Sequence, residues 1–168
     1  QASEVVLEAG AIDVLVADTS AKMKDAWAAR SSFLEAIMHE TKLLDECDVV
    51  VPVNKIADYL DFVNKTGEDC GLVIKSFGHA GDGNLHIYQC SNDLEEEEFK
   101  SRVDKFFEII YKEATNCGGL VSGEHGIGVA KRPYFLGATA PENLDLMRSI
   151  KTAFDPKHIL NDHISYLK

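Results

Sequence analysis

Two histidines, His79 and His86, enclose a segment of turn-forming residues, and their types and spacing could bind a metal ion. The Asp82-Gly83 pair between apolar runs predicts a two-residue hairpin turn, because this dipeptide adopts the positive φ angles that the turn requires. With that turn, His79 pairs directly with His86, and their Cβ atoms lie roughly 5 Å apart. Two imidazoles at this separation can bind one metal ion. The alternative is a tight turn with two half-buried histidines, each satisfied by a hydrogen bond.

A second segment, Ser122 to Arg132, carries three glycines around an adjacent acid and imidazole, Glu124 and His125. Such a loop can approach a ligand with its backbone and its side chains together. Taken alone, it favours an irregular turn with both side chains exposed, because a glycine-rich loop is weak evidence for a site.

Together the two segments predict a site with separate roles for four side chains. His79, His86 and Glu124 form a three-ligand set with open positions, suited to zinc or another divalent transition ion. His125, next to Glu124, would then be available as a base.

A long helix is predicted from Ser20 to Leu44, because apolar residues recur at spacings of three and four. Arg30 lies within this apolar stripe. Its stem could pack while its head group reaches water or a structural carboxylate. Alternatively, its planar guanidinium could bind the carboxylate of a small-molecule substrate.

The order of the elements that must position these residues predicts an α+β fold. Strand, helix, strand, strand, helix, strand is the ferredoxin-like split βαβ arrangement, with helices on one face of an antiparallel sheet and further helices flanking it. The predicted strands are 48–53, 71–78, 84–90 and 120–121, and the predicted helices are 54–66 and 92–116. We expect one substrate- and metal-binding domain over residues 1–168.

The first residues predict the end of a helix, Glu4 to Ala9, that leads into a lone strand at 13–16. A domain rarely begins in this way. We therefore expect the chain to be part of a longer polypeptide.

Composition narrows the class of protein. A length of 168 residues with 45% hydrophobic content is typical of a soluble globular domain. The net charge of −11 argues against a nucleic-acid surface, which needs clustered Lys and Arg. The acidic run at 93–98 favours the first turn of a helix. No apolar run reaches membrane-spanning length and no basic-then-apolar segment opens the sequence, so we expect neither a membrane span nor a signal peptide. The spacing of the four cysteines predicts reduced thiols in a cytoplasmic protein.

The motifs HAGDGNLH at 79–86 and SGEHGIGVAK at 122–131 closely resemble the C-terminal domain of FAD-linked 2-hydroxyacid dehydrogenases. This family includes D-lactate dehydrogenase, D-2-hydroxyglutarate dehydrogenase and the FAD subunit of glycolate oxidase. WAAR at 27–30 and FDPKHILN at 154–161 extend the resemblance over nearly the whole chain.

The resemblance implies a role for each matching residue. His79, His86 and Glu124 match the ligands of a divalent metal, zinc or manganese, and His125 matches the catalytic base. Arg30 matches the arginine that binds the substrate carboxylate.

Three further residues are assigned within the same motifs. We assign Asn84 and Lys131 to substrate binding, and we expect Asn161 to lie toward the flavin. Where the family carries Asn-Pro-Gly-Lys, the chain continues from Asn161 with Asp162-His163-Ile164, so the contact of this tail with flavin is expected to differ.

The implied reaction is the oxidation of a 2-hydroxy acid to a 2-oxo acid, with hydride passing to FAD. The family binds FAD mainly through an N-terminal domain that this sequence does not resemble, so we expect the chain alone to be inactive. A quinone, an electron-transfer flavoprotein or an iron-sulfur subunit would accept the electrons. The alternatives are a stand-alone metal-dependent hydrolase and a non-catalytic assembly domain.

Overall fold

The computed structural model describes residues 2–161 and residue 167. The chain forms two compact units, residues 1–40 and residues 41–168. Among the described residues, no helix is both long enough and apolar enough to cross a membrane.

The first unit contains helices α1 (Ala2–Glu8), α2 (Ser20–Ser31) and α3 (Phe33–Glu40). The prediction of one helix from Ser20 to Leu44 is therefore wrong. The interruption is at Ser32, whose hydroxyl donates to the Ala28 carbonyl at 2.9 Å. Serine side chains that bond back to the preceding turn compete with the helical backbone and bend helices.

The predicted strand at 13–16 is also wrong, since these described residues form an irregular segment between α1 and α2. Leu15 is 91% exposed. An apolar segment becomes a strand only where a neighbouring strand pairs with its backbone. The strands found in the described part of the chain all belong to the second unit.

The second unit is built on an antiparallel sheet of β1 (Leu43–Val50), β2 (Val73–His79) and β3 (Asn84–Ser91), in the order β1-β3-β2. Helices α4 (Ile56–Cys70) and α5 (Glu96–Asn116) pack against each other and against this sheet. A 3-10 helix (Val53–Lys55) precedes α4, and α6 (Arg132–Ala138) and α7 (Pro141–Phe154) complete the described helices of this unit. The predicted α+β class is confirmed.

The predicted fourth strand at 120–121 is reduced to a single bridge between Leu120 and Val50. Each residue donates its amide to the other's carbonyl, at 2.8 and 3.1 Å. The bridge attaches the segment that follows α5 to the outer edge of β1. The glycine-rich loop that follows therefore begins beside β1.

The central strand β3 separates the core from the site. Because side chains alternate along a strand, Leu85 and Ile87 enter the core, while Asn84, His86 and Tyr88 lie on the opposite face. Both sets are buried. The side chains of β3 on the face opposite the helices are therefore also covered by other parts of the chain. In many antiparallel sheets this second face is exposed to solvent.

The register of the β2–β3 hairpin differs from the prediction. His79 pairs with Asn84, and His86 pairs with Phe77, so the predicted pairing of His79 with His86 is wrong. The displacement is two residues. An even displacement keeps every side chain on its own face, so both histidines still lie on the site face.

The cause is the conformation of the turn. A two-residue turn of the predicted type needs positive φ at both central positions. Gly83 has φ 78°, but Asp82 is not in the positive-φ region, so residues 80–83 form a longer connection. A Cβ atom on Gly83 would lie 1.9 Å from the Val51 carbonyl oxygen. The turn therefore packs directly against the chain that leaves β1.

The acidic run is confirmed as the start of a helix, with Glu96, Glu97 and Glu98 in the first turn of α5. The helix begins at Glu96 instead of residue 92. The Ser91 hydroxyl accepts hydrogen bonds from the amides of Asp93 and Leu94, which holds these residues in a turn before the helix.

The four cysteines are free thiols, and all except Cys117 are buried. Burial raises the pKa of Cys47 to about 12. A thiol with so high a pKa is rarely ionised near neutral pH, which fits a structural side chain.

We predict that Gly83→Ala destabilises the protein by about 1–3 kcal/mol or more, because alanine is strained at this φ and its Cβ meets the Val51 carbonyl. Urea unfolding measures the loss. Gly81→Ala is the matched control, since its Cβ meets nothing within 4 Å and its φ is outside the positive region. Equal losses in the two variants would contradict this account of the turn.

Candidate metal and catalytic site

The site lies on the face of the sheet opposite α4 and α5. His86 is at its centre, with a side chain only 6% exposed, and His79 lies at the rim with 43% exposed. Their ring centroids are 5.8 Å apart in an edge-to-face arrangement. The Nδ1 atom of His86 is buried without a hydrogen-bond partner.

The glycine-rich loop reaches this face because it is bound to Asp48, a fully buried residue of β1 that pairs with His86 in the sheet. One carboxylate oxygen of Asp48 accepts the consecutive backbone amides of Gly123, Glu124 and His125, at 2.6, 2.8 and 3.2 Å. Consecutive amides that converge on one anion form a nest, a recognised anion-binding geometry. Here the anion is part of the chain.

The other side of the Asp48 carboxylate contacts Lys131, which is also buried. The Lys131 ammonium also donates to the Asp48 carbonyl at 3.1 Å and to the Ser122 hydroxyl at 3.2 Å. The two ends of the loop are therefore tied to the same acidic residue.

Burial alone would raise the pKa of the Asp48 carboxyl. Hydrogen bonds from Lys131 and from the backbone amides of Glu124 and His125 outweigh this effect and hold the pKa well below its ordinary value. Asp48 is therefore an anion inside the protein.

A close backbone approach also positions the loop. A Cβ atom on Gly123 would lie 2.3 Å from the side-chain oxygen of Asn84. That oxygen is buried without a hydrogen-bond partner. A larger residue at position 123 would require the Asn84 side chain, at the start of β3, to move.

The loop brings Glu124 to the histidines. Its Oε1 atom lies 3.1 Å from Nε2 of His86 and 3.9 Å from Nε2 of His79. One ligand atom from each of the three residues lies within 4.8 Å of the other two. The structure thus brings together the three residues that the sequence assigned to a metal.

His125 lies beside this cluster, with its ring centroid 5.0 Å from that of His86. Its Nδ1 atom faces two carboxylates, Asp48 at 3.6 Å and Glu46 at 3.7 Å. The side chain is 44% exposed. His125 therefore has one nitrogen directed at the protein and an accessible ring.

The remaining assigned residues are spread over the chain. Arg30 is half-buried on α2 in the first unit, and Asn161 is exposed with φ 50°. Lys131 is buried against Asp48, so its ammonium has an internal partner. Residues 162–164, which continue the tail motif, lie outside the described residues.

Sequence reasoning missed two acidic residues, Glu46 and Asp48. Both lie on the site face of β1, where Glu46 pairs with Tyr88 and Asp48 with His86. Asp48 lies within the apolar run Cys47 to Val51, and a charged residue in a buried strand requires a partner. That signal was present in the sequence. Glu46 follows from it, because residues two apart share a face.

Comparison with known proteins identifies relatives over almost all of this chain. The family model described as "FAD linked oxidases, C-terminal domain" matches residues 1–163. D-lactate dehydrogenase of Anaerostipes hadrus is 58% identical over 161 residues, 96% of this chain and 34% of that protein. Glycolate oxidase subunit GlcD of Bacillus subtilis is 37% identical over 153 residues, 90% of this chain and 32% of that protein. Mitochondrial D-2-hydroxyglutarate dehydrogenase of Danio rerio is 31% identical over 160 residues, 95% of this chain and 29% of that protein.

The chain thus spans about a third of the length of these relatives. Its two motifs lie within the matched region.

We predict that Asp48→Asn destabilises the protein by about 3–5 kcal/mol, because it leaves the buried Lys131 ammonium without its counter-charge. Lys131→Met removes the opposite partner and should cost a similar amount. Urea unfolding measures both, with Asp104→Asn, at an exposed position of α5, as the control. The double variant should lose less than the sum of the two single variants. Additive losses would contradict a coupled pair.

Proposed function

The chain belongs to the family of C-terminal domains of FAD-linked oxidases, and on this premise we propose that it is the substrate- and metal-binding part of an FAD-dependent dehydrogenase. Its substrate is a 2-hydroxy acid, which the enzyme oxidises to the 2-oxo acid. Three relatives support this substrate class, because their names denote the oxidation of D-lactate, glycolate or D-2-hydroxyglutarate. The observation that carries the proposal is the convergence of His79, His86 and Glu124 beside His125.

The donor set fits a divalent transition metal. Two imidazole nitrogens and one carboxylate oxygen are the ligands that zinc and manganese accept, and three protein ligands leave positions open for substrate. The Nε2 atoms of His79 and His86 both face Oε1 of Glu124. A divalent cation bound among these atoms would balance the charge of the Glu124 carboxylate and accept the imidazole lone pairs.

His79, His86 and Glu124 would hold the metal, which would polarise an oxygen of the substrate, and FAD would accept the α-hydrogen of the substrate as a hydride. His125 takes the proton of the substrate hydroxyl as general base. The position of its ring, with the centroid 5.0 Å from that of His86, supports this role. The partly exposed ring leaves room for a small acid to approach.

Other residues bind and orient the substrate in this proposal. Arg30 binds its carboxylate, for which a guanidinium offers two parallel donors. Asn84 contributes its unpaired side-chain oxygen at the end of β3. Lys131 acts mainly through Asp48, which holds the loop.

In the complete enzyme, a further domain binds most of the flavin, and Asn161 extends toward it.

The family match favours this dehydrogenase over a stand-alone hydrolase, because the matched domain is that of FAD-linked oxidases. The electron acceptor, a quinone, a flavoprotein or an iron-sulfur subunit, and a cytoplasmic location stay predictions.

We predict about one transition metal per chain in the wild-type protein and almost none in His86→Ala, because His86 is the central, buried ligand. Elemental analysis after expression in medium supplemented with zinc and manganese measures the content. His39→Ala, on α3 in the first unit, is the control and should keep its metal. Equal metal content in wild type and His86→Ala would overturn the ligand assignment.

We predict that His125→Ala, in the FAD-containing holoenzyme, keeps its metal but loses about 10²- to 10⁴-fold in turnover, the usual contribution of a general base. Steady-state kinetics with a 2-hydroxy acid and elemental analysis of the same preparation test both parts. Turnover within a factor of ten of the wild type would exclude His125 as the base.

A further inference from the structure

The Glu46 carboxylate faces the Nδ1 atoms of both His86 and His125. One atom, Oε1, is 3.5 Å from Nδ1 of His86 and 3.7 Å from Nδ1 of His125. The Tyr88 hydroxyl donates to the same oxygen at 3.0 Å. The carboxylate is thus held in place by a tyrosine while it faces both rings.

The His86 ring needs a partner at this nitrogen. Its Nε2 atom faces Glu124, while Nδ1 is buried without a hydrogen bond, and a buried unpaired polar atom is costly. Histidines that bind a metal through one nitrogen commonly donate the other N–H to a carboxylate, which fixes the ring and its tautomer. Glu46 is the carboxylate in that position.

The His125 ring has two carboxylates near its Nδ1, but they are not equivalent. Asp48 already accepts three backbone amides and contacts the Lys131 ammonium. Glu46 carries fewer such bonds and belongs to a longer, more flexible side chain. Its distances to both rings exceed an ordinary hydrogen bond of about 3.2 Å or less, and a small rotation can shorten either one.

We propose that Glu46 is a positioning residue that accepts the Nδ1–H of both His86 and His125. This leaves Nε2 of His86 available to the metal and Nε2 of His125 available to the substrate. This inference rests on the proposed function for the roles of the two histidines. Its geometric content, two imidazoles fixed in the Nδ1–H tautomer by one carboxylate, can be measured without metal, flavin or substrate.

The first test is the histidine tautomer, read from the ¹⁵N shifts of the side chains in long-range ¹H–¹⁵N spectra of metal-free protein. Glu124→Ala is the reference chain, because the Glu124 carboxylate lies 3.1 Å from Nε2 of His86 and would compete for the proton of that ring. The reference should show both histidines as Nδ1–H tautomers. Adding Glu46→Leu should remove this preference at both rings, whereas Glu46→Gln, which keeps an acceptor oxygen, should retain part of it. Tyr88→Phe, which removes only the hydroxyl that holds the carboxylate, should weaken the preference less than Glu46→Leu does. Nε2–H tautomers in the reference, or tautomers unchanged by Glu46→Leu, would overturn the inference.

The second test is zinc affinity, measured by competition with a chelator. Glu46→Leu should bind zinc about 10- to 100-fold more weakly than the wild type, the usual effect of losing the group that orients a metal-bound histidine. Glu46→Gln should lose less. Equal affinities in the wild type and Glu46→Leu would overturn the inference while leaving the metal site intact. Two zinc ions per wild-type chain and one in Glu46→Leu would also overturn it, since Glu46 would then be a ligand.

A wild type that binds no zinc would refute the proposed metal site, and the tautomer measurement would still decide the role of Glu46. The two proposals therefore fail by different results.

Discussion

A buried carboxylate, that of Asp48, is the interaction on which the rest of the site depends. An isolated charge inside a protein costs several kcal/mol, and at Asp48 this cost is offset by the Lys131 ammonium and three consecutive backbone amides. Because those donors belong to the loop at 122–131, the loop cannot leave without removing these hydrogen bonds and the counter-charge from the carboxylate. The need of the buried Asp48 carboxylate for hydrogen-bond donors thereby fixes the positions of Glu124 and His125.

The register of the sheet fixes the position of His86 relative to Asp48. β3 is its central strand, and its register sets His86 directly beside Asp48 on one side and Phe77 on the other. The acid that holds the loop and the histidine that the loop must reach are therefore fixed by one ladder of hydrogen bonds. Alternation along the strands sends the apolar residues of β3 to the core beneath α4 and α5. The same alternation leaves the polar residues together on the other face.

Much of this arrangement could be predicted from sequence, and the exceptions have physical causes. The α+β order follows from hydrophobic periodicity, and the grouping of His79, His86 and Glu124, the proposed metal ligands, follows from two motifs dense in glycine and in ligand-bearing side chains. The hairpin register did not follow, because it depends on the packing of Gly83 against Val51, a contact distant in sequence. The long helix failed at Ser32, where a local side-chain bond competes with the backbone. Glu46 and Asp48 were missed because their role requires knowing which loop crosses β1, although a charge within an apolar strand was already a signal.

The most direct test of the central role of Asp48 is the native-state hydrogen exchange of the Gly123, Glu124 and His125 amides. These amides lie in a loop outside the described helices and strands, where exchange is ordinarily fast. If the buried carboxylate holds all three, they exchange much more slowly than the same amides in an unstructured peptide. Exchange at the rate of the unstructured peptide would contradict the account, because the loop would then be free of Asp48 and the position of Glu124 would have no fixed cause.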